Sequence, residues 1–259
     1  PYTRGRERSR DYEKILEESR RAVELGAKEI MLLGQNVNSY GNDLRKRGEA
    51  DAPTFAELLR EISHIDGLWA VRYMTSHPKD LSDELIEVIG REPRVESHIH
   101  LPLQSGSDRI LQRMNRRYDS ARYLDLVRKL RSCRDGISIT TDLIVGFPGE
   151  TEGDFEATLR VMEEAQFDAA FTFLYSPRVG TPAAEWYDES EQDVVRERFM
   201  RLVEYQNGCS LASNKAMEGK VVDVLVDGRS RRDDMVLSGR THDDRLVNFA
   251  GALSDNVLC

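Results

Sequence analysis

Apolar residues recur every three or four positions from Asp11 to Leu25, then run together at Ile30-Met31-Leu32-Leu33. The change of period predicts a helix over 11–25 and a strand over 28–33, with Gly26 as the break. The same alternation continues down the chain. Thr54 and Glu57 form a capping-box pair that opens a helix ending near His64. A strand over 68–73, a helix over 82–89 and a strand over 95–101 follow. Two helices come next, the second with Tyr123, Leu124, Val127 and Leu130 on one face. The pattern then gives a strand over 137–145 and a helix capped by Thr151, with Phe155, Leu159 and Met162 inward. A strand over 169–175 and a long helix from 191 to about 217 complete it. The polar stretch 42–52 reads as a loop of the kind that closes over sites.

Apolar strands alternating with helices suit a parallel sheet with right-handed crossovers, so the fold class is α/β. Five such strands are too few for a closed eight-stranded barrel. After Gly219 the pattern changes to short β segments over 221–226, 235–237 and 246–249. Gly228, Gly239 and Asp-rich turns separate them, as in a small antiparallel barrel.

Three of the parallel strands end alike. Gly34-Gln35-Asn36-Val37-Asn38-Ser39 follows the first, Gln104-Ser105-Gly106-Ser107-Asp108 the third, and Gly146-Phe147-Pro148-Gly149-Glu150-Thr151 the fourth. Ligands of parallel α/β folds sit at carboxyl strand ends, so three polar ends suggest one shared site. Amides and hydroxyls read a polar ligand but do no acid–base chemistry, so the reaction needs a cofactor. Asp142 lies inside an apolar strand, where a carboxylate requires a partner, and ranks above Glu150, read as exposed. His98 and His100 point the same way from one strand. With no third ligand nearby in sequence they read as packed or hydrogen-bonded, and His77, before Pro78, reads as a turn residue.

The chain carries a net charge of −9, which by itself disfavours a nucleic-acid partner, but its basic residues are grouped. Arg4, Arg6, Arg8 and Arg10 face only Glu7 in the first ten residues, and nine basic side chains face three aspartates from Ser107 to Arg134. Arg4, Arg6, Arg113, Arg116 and Arg117 are candidates for RNA phosphates. The wet face of a helix remains an equal reading for the last three. No apolar run approaches the roughly 20 residues of a membrane helix, and three scattered cysteines argue against a disulfide framework. The expected location is the cytoplasm.

Six segments occur in one order: Arg4-Gly5-Arg6-Glu7-Arg8-Ser9-Arg10, LLGQNVNSYG from Leu32, Thr75-Ser76-His77-Pro78, HLPLQSGSD from His100, DLIVGFPGET from Asp142, and Tyr175-Ser176-Pro177-Arg178-Val179-Gly180-Thr181. That order resembles the radical S-adenosylmethionine methylthiotransferases over almost the whole chain. GQNVNSYG with Val247-Asn248-Phe249 resembles their MiaB type. The resemblance implies methylthiolation of tRNA at C2 of N6-isopentenyladenosine, with S-adenosylmethionine and two 4Fe-4S clusters in the full-length protein. It implies an open (βα)6 radical-SAM barrel over 1–218, and over 219–259 a partial TRAM domain, a small β-barrel implicated in binding RNA.

In the family a Cys-x3-Cys-x2-Cys motif stands immediately before the Pro-Tyr that opens this chain. The chain is therefore expected to be a fragment without cluster loop or first strand, inactive alone and completed by a missing N-terminal part. Cys133, Cys209 and Cys259 are 76 and 50 residues apart, no cluster spacing. They read as ordinary thiols, and no metal ligand is assigned. From motif position, Gly34, Gln35 and Asn36 are expected to meet the methionine end of the cofactor. Gln104, Ser105, Asp142, Gly146 and Phe147 are expected to line its ribose and adenine. No catalytic residue and no oligomeric state is assigned. Three alternatives stay open: a methylthiotransferase acting on threonylcarbamoyladenosine, one acting on a ribosomal-protein aspartate, and a non-catalytic RNA-binding protein.

Overall fold

The computed structural model describes residues 7–74, 76–188 and 192–251. They group into two compact units. One holds the residues up to Ile99, Cys133–Ile137 and the segment from Val221; the other holds His100–Ser132 and Ser138–Lys220. The C-terminal strands group with the first part of the chain.

In the first unit, Asp11 caps helix α1 (Tyr12–Glu24) by accepting from the Lys14 N–H at 3.0 Å. Strand β1 (Glu29–Leu32) pairs in parallel with β2 (Ala70–Tyr73), and Val95 bridges Val71. The stretch expected as a loop contains a one-turn helix, α2 (Asn42–Arg45). Arg45 folds that stretch on itself, donating to the Ala52 carbonyl at 2.6 Å and to Asn42 Oδ1 at 2.8 Å. The Thr54–Glu57 capping box opens α3 (Phe55–Ser63). Its Phe55, Leu58, Leu59 and Ile62 are buried, the stripe that a 3.6-residue period creates. Helix α4 (Asp83–Arg91) starts on Ser82.

The second unit carries a sheet ordered β3-β4-β5, with β3 (His98–His100) leading into it, then β4 (Ser138–Val145) and β5 (Ala169–Leu174). Strands β4 and β5 are parallel, with Asp142 opposite Phe171. Strand β3 is shorter than the expected 95–101, since Val95 pairs with Val71 instead. The helices are α5 (Asp108–Arg113), α6 (Ser120–Cys133), α7 (Glu152–Ala165), α8 (Pro182–Glu185) and α9 (Gln192–Lys215). Thr151 caps α7 as expected, in a box closed by Asp154. Leu124 and Leu159 are only half-buried. Leu126 completes the buried stripe of α6, and on α7 Thr158 takes the inner position and accepts from the Gly106 N–H at 2.9 Å.

The C-terminal strands β6 (Val224–Arg229), β7 (Val236–Thr241) and β8 (Leu246–Ala250) form an antiparallel sheet in the first unit. Gly239, expected in a turn, lies inside β7, where a Cβ would collide with the Leu225 carbonyl and Val224. Gly228 sits at a bulge. Arg72 of β2, only 1% exposed, ties this sheet to the parallel strands. It donates to Glu96 at 2.8 Å, to the Thr241 carbonyl at 2.9 Å, to Asp244 at 3.2 Å, and to Glu29. No helix among the described residues is long and apolar enough to cross a membrane.

Candidate functional site

Strand β4 presents two different faces. Ile139, Thr141, Leu143 and Val145 are buried, while Thr140, Asp142 and Ile144 are half-buried. His100 joins the half-buried face: its Nδ1 lies 3.0 Å from Thr140 Oγ1 and its Nε2 3.4 Å from Asp142 Oδ1. The ring meets Phe171 edge-on, centroids 5.8 Å apart, and Phe171 and Phe173 are both exposed. Asp142 thus has the partner its burial demands, and an imidazole held between hydroxyl and carboxylate has a fixed orientation. His98 instead approaches Glu96, at 3.8 Å. Among the described residues no three His, Cys, Asp or Glu side chains cluster as a metal site. Cys133 and Cys209 are half-buried free thiols, and Cys259 lies outside the described residues.

The loop after β3 is pinned from both sides. Gln104 adopts φ +73°, unusual for a residue with a side chain. Its N–H donates to the Asp142 carbonyl and its own carbonyl accepts from Ile144, at 2.8 and 2.9 Å. Ser105 is fully buried, facing Thr158 and accepting from the Ser107 N–H at 3.2 Å. Gly106 follows because a Cβ there would stand 2.5 Å from Thr158 Cα. Ser107 caps α5 and donates to Asp154 at 2.6 Å, and Arg109 reaches the same carboxylate.

The turn after β4 is built on Gly146 and Gly149, at φ +78° and +77°. Glu150 is 5% exposed, which corrects the expectation of an exposed carboxylate. It accepts from the Gly146 N–H at 2.8 Å. Burial pushes its pKa up to about 7, against the pull of that N–H and of Arg198. The reason is distant in sequence: Arg198 of α9 covers the turn, donating to the Glu150 carbonyl at 3.0 Å. Phe147 is buried, its ring 5.2 Å from Tyr175.

In the first unit, Gly34 and Gln35 follow β1 and are exposed, while Asn36 donates to Asp80 at 2.7 Å. A cavity of about 700 Å³ runs along β1, lined in part by Glu18, Leu32, Gly34, Gln35, Asn36 and Tyr40. Asn36 Oδ1, both amide atoms of Asn38 and Ser76 Oγ are buried without a hydrogen-bond partner among the described residues. Such atoms are rare in a folded interior, and of these residues Asn36 lines the cavity.

Of the RNA candidates, Arg4 and Arg6 lie outside the described residues. Arg113 and Arg117 are exposed and Arg116 half-buried. Arg113 stacks over Trp186, 4.7 Å from the ring centre.

Comparison with known proteins supplies the context. The Radical SAM superfamily matches residues 1–162 and the TRAM domain residues 215–257. The tRNA-2-methylthio-N(6)-dimethylallyladenosine synthase of Clostridium botulinum (strain Okra / Type B1) is 54% identical over 97% of this chain and 55% of its own length. The synthase of the same name from Carboxydothermus hydrogenoformans is 51% identical over 97% and 56%. The chain spans about half the length of the curated relatives it matches. Among solved structures, the radical SAM enzyme coproporphyrinogen III oxidase from Escherichia coli superposes with a TM-score of 0.55 at 13% identity, covering 94% of this chain and 64% of that one. It supports the fold alone.

Proposed function

The chain belongs to the radical S-adenosylmethionine superfamily, and from that premise we propose that the protein carrying it is a tRNA methylthiotransferase acting at C2 of N6-isopentenyladenosine. The observation that carries this reading is identity of 54% and 51% over 97% of the chain to two synthases named for that product. The TRAM match over the last strands supports an RNA substrate, and a tRNA substrate supports the cytoplasm as location.

The described residues do not fit an iron–sulfur cluster, because no thiolate group gathers among them. A cluster would have to be held by residues outside the described ones. S-adenosylmethionine fits better, since unpartnered buried amide and hydroxyl atoms stand after β1 and β2. When bound, it supplies the radical chemistry. Gly34, Gln35 and Asn36 would hold its methionine end. Within the second unit, Gln104, Asp142, Gly146 and Phe147 are proposed by motif position as contacts for ribose and adenine, with Ser105 bracing the loop from behind. These residues bind, orient and exclude water.

The test is nucleoside mass spectrometry of tRNA from a strain lacking the gene. Loss of methylthio-isopentenyladenosine with accumulation of isopentenyladenosine supports the reading. An unchanged methylthio nucleoside would sink it.

A further inference from the structure

At the carboxyl ends of β4 and β5 the second unit opens a cleft of about 430 Å³, within the range of small-ligand sites. Its walls are aromatic and charged, with Asp188 as the one carboxylate among the described residues that line it and Arg196 3.8 Å from Asp193. Tyr175, Trp186 and Tyr187 supply rings, Gln192 and Arg196 supply donors from α9, and Gly146 lies at the turn below. The rings brace one another: Tyr175 lies 5.2 Å from Phe147 and 5.9 Å from Tyr187, between centroids. Trp186 is 45% exposed, with the Arg113 guanidinium over its ring. The same guanidinium lies 3.5 Å from where a Cβ on Gly149 would stand, an ordinary contact distance.

Partly exposed rings beside guanidinium groups suit an unpaired nucleobase, whose face stacks while its phosphate meets the cation. We infer that this cleft takes one unstacked base of a single-stranded RNA loop. Trp186 and Tyr175 form the stacking surface, and Arg113 and Arg196 serve the adjoining phosphate. The inference rests on the RNA substrate proposed above and locates one contact with it.

Trp69→Phe leaves Trp186 as the sole tryptophan of the 259-residue chain, which has two. This protein is titrated with an anticodon stem-loop RNA, with a blunt RNA duplex and with S-adenosylmethionine. The loop RNA should quench Trp186 and the duplex should not. In the parent background, Trp186→Ala should weaken loop binding by about tenfold, the scale of one stacked base, and Trp186→Phe by less than about threefold. Arg113→Ala should lower the salt dependence by about one counterion. Loop RNA that binds without quenching, and equally well to Trp186→Ala, overturns the inference and leaves the RNA substrate standing. Quenching by S-adenosylmethionine instead assigns the cleft to the cofactor and also overturns it. A chain that binds none of the RNAs overturns the inference and removes support for the substrate reading; the tRNA mass spectrometry decides that reading separately.

Discussion

Replacing Arg72 by alanine removes a charge on which three carboxylates and a carbonyl converge. Arg72 and Glu96 are 1% and 2% exposed, whereas Glu29 and Asp244 are 25% and 33% exposed. Burial alone would lower the arginine pKa, but Glu29, Glu96 and Asp244 outweigh it and hold it above the ordinary value. In the alanine variant Glu29 and Asp244 rehydrate at little cost. Glu96 stays buried, keeping the Tyr73 N–H at 3.1 Å and the His98 contact. Breaking a buried pair by removing one partner costs about 3–5 kcal/mol. With a urea slope of about 1–3 kcal/mol per M, the midpoint should fall by more than about 1 M. Trp69 reports the event, because its ring lies 5.0 Å from that of His242 in the same hairpin region; Trp186→Phe silences the other tryptophan. Arg72→Met with Glu96→Leu should recover most of the loss, since an apolar pair replaces both charges. A cost for Arg72→Ala below about 1 kcal/mol, the level of a surface pair, would refute the reasoning. So would a double variant no more stable than the single one.

Three further perturbations probe the second unit. Glu150 has its pKa raised to about 7 from 4.5. Its effect on stability is therefore absent below the lower value, grows to a loss of about 3 kcal/mol as pH rises through the upper one, and is level beyond. Glu150→Gln should abolish that slope between pH 5 and 8 in urea unfolding, and an unchanged slope would reject the assignment. Asp154 behaves oppositely: burial would raise its pKa, but Arg109, Ser107 and Thr151 hold it well below the usual carboxylate range. Its contribution is present above the ordinary value of 3.8 and is lost on acidification. Asp154→Ala should cost about 2–3 kcal/mol at neutral pH, with Asp154→Asn less damaging, as measured by Trp186 fluorescence in urea. Gly106→Ala should destabilise by about 1–3 kcal/mol through collision with the α7 backbone, and a midpoint equal to the parent's would contradict the close packing.

Local chemistry explains what the sequence disclosed. Thr54 with Glu57 and Thr151 with Asp154 are each three residues apart, so both helix starts are written in a few adjacent letters. The same holds for Asp142, a carboxylate in an apolar strand. Glu150 could not be read this way, because the Arg198 that covers its carbonyl lies 48 residues on. Gln104 gives no local hint of its left-handed backbone, which a pairing with β4 imposes. Arg72 did leave a trace as the lone charge in the run Leu68–Tyr73, but its acceptors at Thr241 and Asp244 are 169 and 172 residues away.

That span sets a timetable for synthesis. At about 5–20 residues per second, the ribosome needs roughly ten to thirty seconds after making Arg72 before Asp244 is joined. Throughout that interval the first unit lacks its closing hairpin, and His100–Lys220 is completed while 24 residues, up to and including Asp244, are still to be added. The segment translated in the middle can finish folding before the one translated first, and a nascent chain stalled short of Thr241 presents a half-satisfied arginine to chaperones and proteases.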